Sequence, residues 1–165
     1  MEHVLIAFGS NLGDSVQICA AAIDRLGQHP HFAVRKTSSF YRTSPLLVTD
    51  QPWFINGVVL GDTDMSPEEL LEALLEIEKE FGRDRRTRWG PRTLDLDLLA
   101  YGNREVNLPT LIVPHPQLHA RRFVLEPLLE IAPEWVHPTL KVPARALLQR
   151  LPDSGNQEVQ RLESS

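Results

Sequence analysis

Residues 94–101, LDLDLLAY, constrain the fold more than any other stretch of the chain. Leucine and aspartate alternate with a period of two, a pattern that fits a strand and not a helix. Leu94, Leu96 and Leu98 then face a core, and Asp95 and Asp97 look out together from the opposite face. Strand residues two apart rise about 6.6 Å on one face. Two carboxylates at that spacing can each hold a magnesium ion, or share a pair bridged by phosphate oxygens. Just before the strand, Arg83, Arg85, Arg86, Arg88 and Arg92 fall in a loop with Trp89 and a Gly90-Pro91 turn. Arginine offers planar, bidentate donors suited to phosphate. An isolated D-x-D is more often a polar strand face. Beside an arginine loop, the metal reading is the better one, and residues 83–101 read as a joined site for polyphosphate and magnesium.

The remaining chain supplies scaffold. The apolar run 3–8, HVLIAF, predicts a buried strand that ends at Gly9-Ser10-Asn11. Gly9 permits a tight turn or the close approach of a ligand, and a plain loop accounts for it equally well. Asp14 and Gln17 form a capping box for a helix that Gly27 ends, with Val16, Cys19, Ile23 and Leu26 at helical spacing. A strand is expected over 32–42, followed by a proline-containing loop over 43–52 long enough to serve as a lid. The run 53–60 is another strand, in which Phe54 and Asn56 share one side. An aromatic beside an amide suits a flat heterocycle, although a core aromatic and a strand-end amide explain the two separately.

Ser66, Pro67 and Glu69 mark a second helix start. Leu70, Leu71, Leu74, Leu75, Ile77 and Phe81 form its buried stripe, and Glu72, Glu76, Glu78 and Glu80 its solvated face. Beyond the 94–101 strand come a Gly102-Asn103 turn, a short apolar run at 110–113, a helical piece from His119 and a last helix over 143–151. The order βαββαβ predicts an α+β, ferredoxin-like sandwich with extra C-terminal helices. It forms one domain over 1–151, with a polar tail at 152–165 expected to fray.

Composition narrows the function. A formal net charge of -5 on 165 residues argues against a general nucleic-acid binder. Of the 17 basic residues only Lys36, Lys79 and Lys141 are lysines, so the arginine cluster is a local patch on an acidic protein. Cys19 is the sole cysteine and excludes an intrachain disulfide. Neither a signal peptide nor a membrane-spanning run stands out. The expected setting is cytoplasmic, with a monomer acting on small molecules. Neither a Walker A sequence nor a kinase-type G-x-G-x-x-G is present, so a nucleotide would be held by arginines and metal. The competing reading is a module that contacts RNA through the arginine loop. Asp95 and Asp97 argue against it, because without a cation they repel phosphate.

Residues 89–97, WGPRTLDLD, closely resemble the signature of the 6-hydroxymethyl-7,8-dihydropterin pyrophosphokinases of folate biosynthesis. The resemblance extends to AFGSNLG at 7–13, SFYRT at 39–43 with Pro45, DQP at 50–52, FIN at 54–56, VPHP at 113–116 and RRFVLEPL at 121–128. It implies transfer of pyrophosphate from ATP to a pterin alcohol, with two Mg2+ ions bound by Asp95 and Asp97. It also implies that Arg83 and Arg92 assist transfer at the phosphates. Arg85, Trp89, Leu98, His115 and Arg121 belong to the ATP side. Phe54 and Phe123 sandwich the pterin, Asn56 reads its polar edge, and Thr43 and Leu46 contribute backbone groups. Asp97 with its metal is the nearest group to a general base. Phe54 departs from the family's frequent tyrosine, and Pro116, Thr110 and Ile112 from its more aromatic or polar choices.

Overall fold

The computed structural model describes residues 1–10, 15–43, 54–81, 94–151 and 159–162. Its strands are β1 (Glu2–Ser10), β2 (Phe32–Thr37), β3 (Tyr41–Thr43), β4 (Phe54–Thr63), β5 (Asp95–Tyr101), β6 (Val106–Leu108), β7 (Leu111–Val113) and β8 (Val159–Arg161). The α-helices are α1 (Ser15–Gly27), α2 (Pro67–Glu80), α3 (Arg122–Ile131) and α4 (Ala144–Gln149), with a 3-10 turn at Leu118–Ala120. The main sheet is six-stranded in the order β5-β1-β4-β3-β8, with β2 also paired to β4. All its pairings are antiparallel. β6 and β7 form a separate hairpin.

Both faces of this sheet are covered, and alternation decides which side chain meets which layer. Val4, Ile6 and Phe8 of β1, Val59 of β4 and Leu96 and Leu98 of β5 pack against Cys19 and Leu26 of α1 and Leu70, Leu74 and Ile77 of α2. On the opposite face, Leu5 and Val58 pack with Val124, Leu125 and Leu128 of α3 and Leu147 of α4. α2 starts with a full capping box: Ser66 Oγ accepts the Glu69 N–H, and the Glu69 carboxylate accepts the Ser66 N–H. Among the described residues no helix is long and apolar enough to cross a membrane.

Several sequence expectations are corrected. The strand expected over 32–42 breaks at Ser38. The Ser38 N–H donates to the Val58 carbonyl at 2.9 Å, while its Oγ accepts the Val58 N–H, also at 2.9 Å. A side chain has replaced a ladder carbonyl, and the strand restarts as β3. The tail expected to fray contains β8, which pairs with the outer edge of β3 and is continued by the Leu162 N–H donating to the Phe40 carbonyl. Val16, expected in a buried stripe, is 45% exposed, and Ala22 is buried instead.

Glu78 is also not on a solvated face. It is 5% exposed, and its carboxylate accepts the Leu96 N–H at 2.8 Å. That bond satisfies part of the outer edge of β5, which no strand among the described residues covers. In β5 the strict alternation ends with a bulge: Leu5 faces Ala100, and Ile6 faces Leu98. Leu99 and Ala100 therefore both join the α3 layer. The expected cap at Asp14, and the expected lid beyond Thr43, lie outside the described residues.

Candidate active site

The polar residues of the sheet gather at one end of the face covered by α3. Register places Gly9 of β1 between Asp95 of β5 and Asn56 of β4, and Asn56 in turn opposite Tyr41 of β3. One row thus runs Asp95, Gly9, Asn56, Tyr41 and on to Arg161 of β8. In flanking rows Asp97 faces Ala7, and Phe54 faces Thr43. Cross-strand partners share a face, so both aspartates, Asn56, Phe54 and Thr43 look towards α3. Small residues at 7 and 9 keep the space beside the carboxylates open.

A cavity of about 500 Å³ fills that space. Asp95, Asp97, Asn56 and Thr43 contribute its polar wall, and Phe54, on β4, and Phe123, in the first turn of α3, line it as well. The Arg121 guanidinium lies 5.6 Å from the centroid of the Phe123 ring, within cation–π range, which places a positive charge at the rim. Asp95 is half-buried and Asp97 exposed.

Two polar atoms in this wall stand out. Thr43 Oγ1 and Asn56 Oδ1 are buried with no hydrogen-bond partner among the described residues. Buried polar groups are nearly always paired, so such atoms beside a cavity point to a ligand that supplies the missing donors. Gly9 explains how the Asn56 amide reaches the site: a Cβ built at position 9 would lie 2.9 Å from Asn56 Nδ2. The close approach that Gly9 permits is to the Asn56 side chain.

His115 follows β7, and its N–H donates to the Leu99 carbonyl at 2.9 Å. Its Nδ1 accepts the Gln117 N–H at 3.1 Å, so a neutral ring carries its proton on Nε2. Burial pushes its pKa below the ordinary histidine range; the Arg121 charge adds to this and Asp97 opposes it. His115 is therefore a neutral donor at pH 7. It also lines a second cavity of about 410 Å³ with Ile112 and Pro116.

Of the residues singled out from sequence, Thr43, Phe54, Asn56, Asp95, Asp97, His115, Arg121 and Phe123 come together in the first cavity. Leu98 does not line it: its side chain is 4% exposed in the α1/α2 layer, and Leu99, turned by the bulge, lines the cavity instead. Leu46, Arg83, Arg85, Trp89 and Arg92 lie outside the described residues. Sequence reasoning missed Gln117, Ala120 and Val124 in the lining. Val124 carried a usable signal, lying within the helical piece expected from His119.

The doubly covered antiparallel sheet is a fold shared with solved structures. A solved structure described as HPPK-DHPS in complex with substrates superposes with a TM-score of 0.73 at 14% identity, over 90% of this chain and 43% of that one. The wild-type Plasmodium falciparum HPPK-DHPS with pteroate gives a TM-score of 0.74, also at 14% identity, over 90% of this chain and 42% of that one. The chain thus spans under half of those solved proteins. At the level of sequence, the family described as 7,8-dihydro-6-hydroxymethylpterin-pyrophosphokinase (HPPK) matches residues 5–133, and the chain belongs to it. A 2-amino-4-hydroxy-6-hydroxymethyldihydropteridine pyrophosphokinase of Methylorubrum extorquens is 42% identical over 97% of this chain and 100% of its own. The enzyme of the same name from Pseudomonas aeruginosa is 46% identical over 81% of this chain and 83% of its own.

Proposed function

We propose that the 500 Å³ cavity is where this ATP-dependent pyrophosphokinase brings its two substrates together. The reaction is the family's: pyrophosphate passes from ATP to the 6-hydroxymethyl group of 6-hydroxymethyl-7,8-dihydropterin, and AMP leaves. The pterin lies between Phe54 and Phe123, with Asn56 at its polar edge and Thr43 beside it. The observation that carries this placement is the pair of buried atoms, Thr43 Oγ1 and Asn56 Oδ1, without a partner among the described residues, in the wall that Phe54 and Phe123 also line. A flat heterocycle with an N–H and amino edge supplies the donors they lack.

The donor set of Asp95 and Asp97 fits magnesium. Magnesium takes one or two protein carboxylates and leaves its other positions to water and phosphate oxygens. Among the described residues no group of three or more His, Cys, Asp or Glu side chains is placed to hold a metal ion, so the proposed site rests on these two carboxylates. When bound there, two magnesium ions would neutralise charge on the phosphates. Arg83 and Arg92, from the arginine-rich stretch that precedes β5 in the sequence, hold the phosphates in line. Arg85, Trp89, His115, Arg121 and the backbone at Leu98 lie on the ATP side, and Leu46 on the pterin side. The pterin hydroxyl oxygen bonds to the β-phosphorus as the bond from that phosphorus to the bridging oxygen of AMP breaks. The hydroxyl proton leaves towards Asp97.

The strand order β5-β1-β4-β3, with β2 also on β4 and helices α1 and α2 between the strands, supports a ferredoxin-like frame to which α3 and α4 add a second layer. A cytosolic monomer of one domain completes the reading.

The test is direct. Protein, ATP, magnesium and the pterin alcohol should yield AMP and the pyrophosphorylated pterin. ADP as product, or turnover of ATP without the pterin, would overturn the assignment. Phe123→Ala should raise the KM for the pterin with little change for ATP; equal effects on both would displace the pterin from this slot.

A further inference from the structure

The polar row that floors the site does not stop at Asn56. Its next member, Tyr41, sits directly opposite Asn56, and the one after that is Arg161. Above this end of the row stands Glu130, near the end of α3. Its Oε1 accepts the Tyr41 hydroxyl at 2.8 Å. Its two oxygens accept the Ser39 N–H at 3.0 and 2.8 Å, and Oε2 also accepts the Ser39 hydroxyl at 2.9 Å. Arg161 completes the cluster: its Nε donates to Ser39 Oγ at 3.0 Å, and its Nη2 lies 3.7 Å from Glu130 Oε2.

We propose that Glu130 is a positioning residue for the pterin slot, fastening the strand that borders Asn56 and Phe54 to the helix that carries Phe123. This rests on the placement of the pterin given above. The two aromatic walls belong to different elements: Phe54 pairs with Thr43 of β3, whereas Phe123 opens α3. Glu130 lies seven residues on from Phe123, about two turns and roughly 10.5 Å along the helix. It ties α3 to the 39–41 segment, so it helps set both the height of α3 over β3 and the position of Tyr41 beside Asn56. Burial works against its charge, but the hydrogen bonds from Tyr41 and Ser39 outweigh burial and hold its carboxyl below the ordinary glutamate range. A carboxylate accepting this many donors is a stiff joint, because charge-assisted bonds are about twice as strong as neutral ones.

The experiment compares Glu130→Ala, Glu130→Gln and wild type in steady-state kinetics, with calorimetric titration of a non-reactive pterin analogue and of a non-hydrolysable ATP analogue. E130A should weaken pterin binding and raise its KM by about tenfold, the loss expected from one charged hydrogen-bonding group. Affinity for the ATP analogue, and kcat at saturating pterin, should stay within about twofold. E130Q should recover most of the loss. Its Oε1 still accepts from Tyr41 and Ser39, and its amide can donate to Ser39 Oγ.

Unchanged pterin affinity in folded E130A overturns the proposal, as does an equal fall for both ligands or a failure of E130Q to recover. If E130A does not fold, Tyr41→Phe decides by the same split: a selective pterin loss of about threefold supports it, and no loss overturns it. Phe123→Ala, run alongside, separates the two levels of inference. If F123A loses pterin affinity while E130A keeps it, the joint alone fails; if F123A also keeps it, the pterin placement fails first.

Discussion

Gly9→Ala offers a sharp test of how the site is built, because it adds one methyl group and removes no interaction. The new Cβ would sit 2.9 Å from Asn56 Nδ2 and 3.5 Å from the Ile55 carbonyl oxygen. The second contact is ordinary. The first must open to about 3.4 Å, so the Asn56 amide has to retreat by about 3.4 − 2.9 = 0.5 Å. The backbone should hold, since the atom that must yield is the end of a side chain. Alanine also restricts the unfolded chain, which favours folding by about 0.4–1 kcal/mol. Local crowding offsets this, so Tm should move by no more than about 4 °C for a chain of this size.

Binding should change far more than stability. Asn56 can make one bond through Oδ1 and one through Nδ2 to a heterocycle edge, each with a net value of about 0.5–1.5 kcal/mol. Losing both alignments costs about 1–3 kcal/mol, a fall in pterin affinity of about 5- to 150-fold. Calorimetric titration of a pterin analogue measures this, with the ATP analogue as control. A double-mutant cycle with Asn56→Ala isolates the cause: once the amide is gone, the methyl should have little left to disturb. G9A binding the pterin within twofold of wild type would refute the argument. So would strictly additive losses in G9A/N56A, because they would separate Gly9 from Asn56.

Three further outcomes are expected. Asp95→Asn should leave the circular dichroism spectrum intact and lower magnesium-dependent turnover by more than about 100-fold, since even outer-shell partners of metal ligands are worth about 10- to 100-fold; unchanged turnover across a magnesium titration would remove the metal role. Glu78→Ala strands the buried Leu96 N–H, which lies between the two aspartates, and should cost about 1–3 kcal/mol in urea unfolding; a midpoint equal to wild type would show the bond to be dispensable. The depressed pKa of Glu130 means that the unfolded chain takes up this proton first as pH falls. Its stabilising contribution is present above the unfolded value of about 4.3 and is lost as pH drops through the lower folded value. Tm should therefore fall less steeply with acid in E130Q than in wild type, and identical slopes would contradict the assignment.

What the sequence made legible depended on whether one residue pattern had one physical cause. α2 was readable to its first turn because Ser66, Pro67 and Glu69 act locally, and the capping box is present as the pattern requires. The face of Asp95 and Asp97 followed from period two alone. The bulge did not, because Leu98, Leu99, Ala100 and Tyr101 are all apolar and a continuous apolar run is compatible with either register. Glu78 was hidden for a related reason: a glutamate on an acidic helix face looks the same whether it meets water or a strand edge. Ser38 and β8 depend on partners far along the chain, Val58 and Tyr41–Thr43, which no local pattern reports.

The site itself follows from the layering. A sheet covered on both faces has apolar residues at almost every position, as β1 does from Val4 to Phe8. A polar residue facing a helix layer is then out of place unless the layer ends or something polar enters. Asp95, Asp97, Asn56 and Thr43 are such residues, and all face the end where α3 begins at Arg122. Alternation fixes their face and register fixes their row. Gly9 and Ala7 then keep the intervening strand from filling the gap. Each of these is a separate requirement, and none involves a ligand. Their meeting at one cavity, with two buried oxygens that find no donor among the described residues, is what a scaffold evolved only for stability would avoid, since an unpaired buried polar group costs about 1–3 kcal/mol.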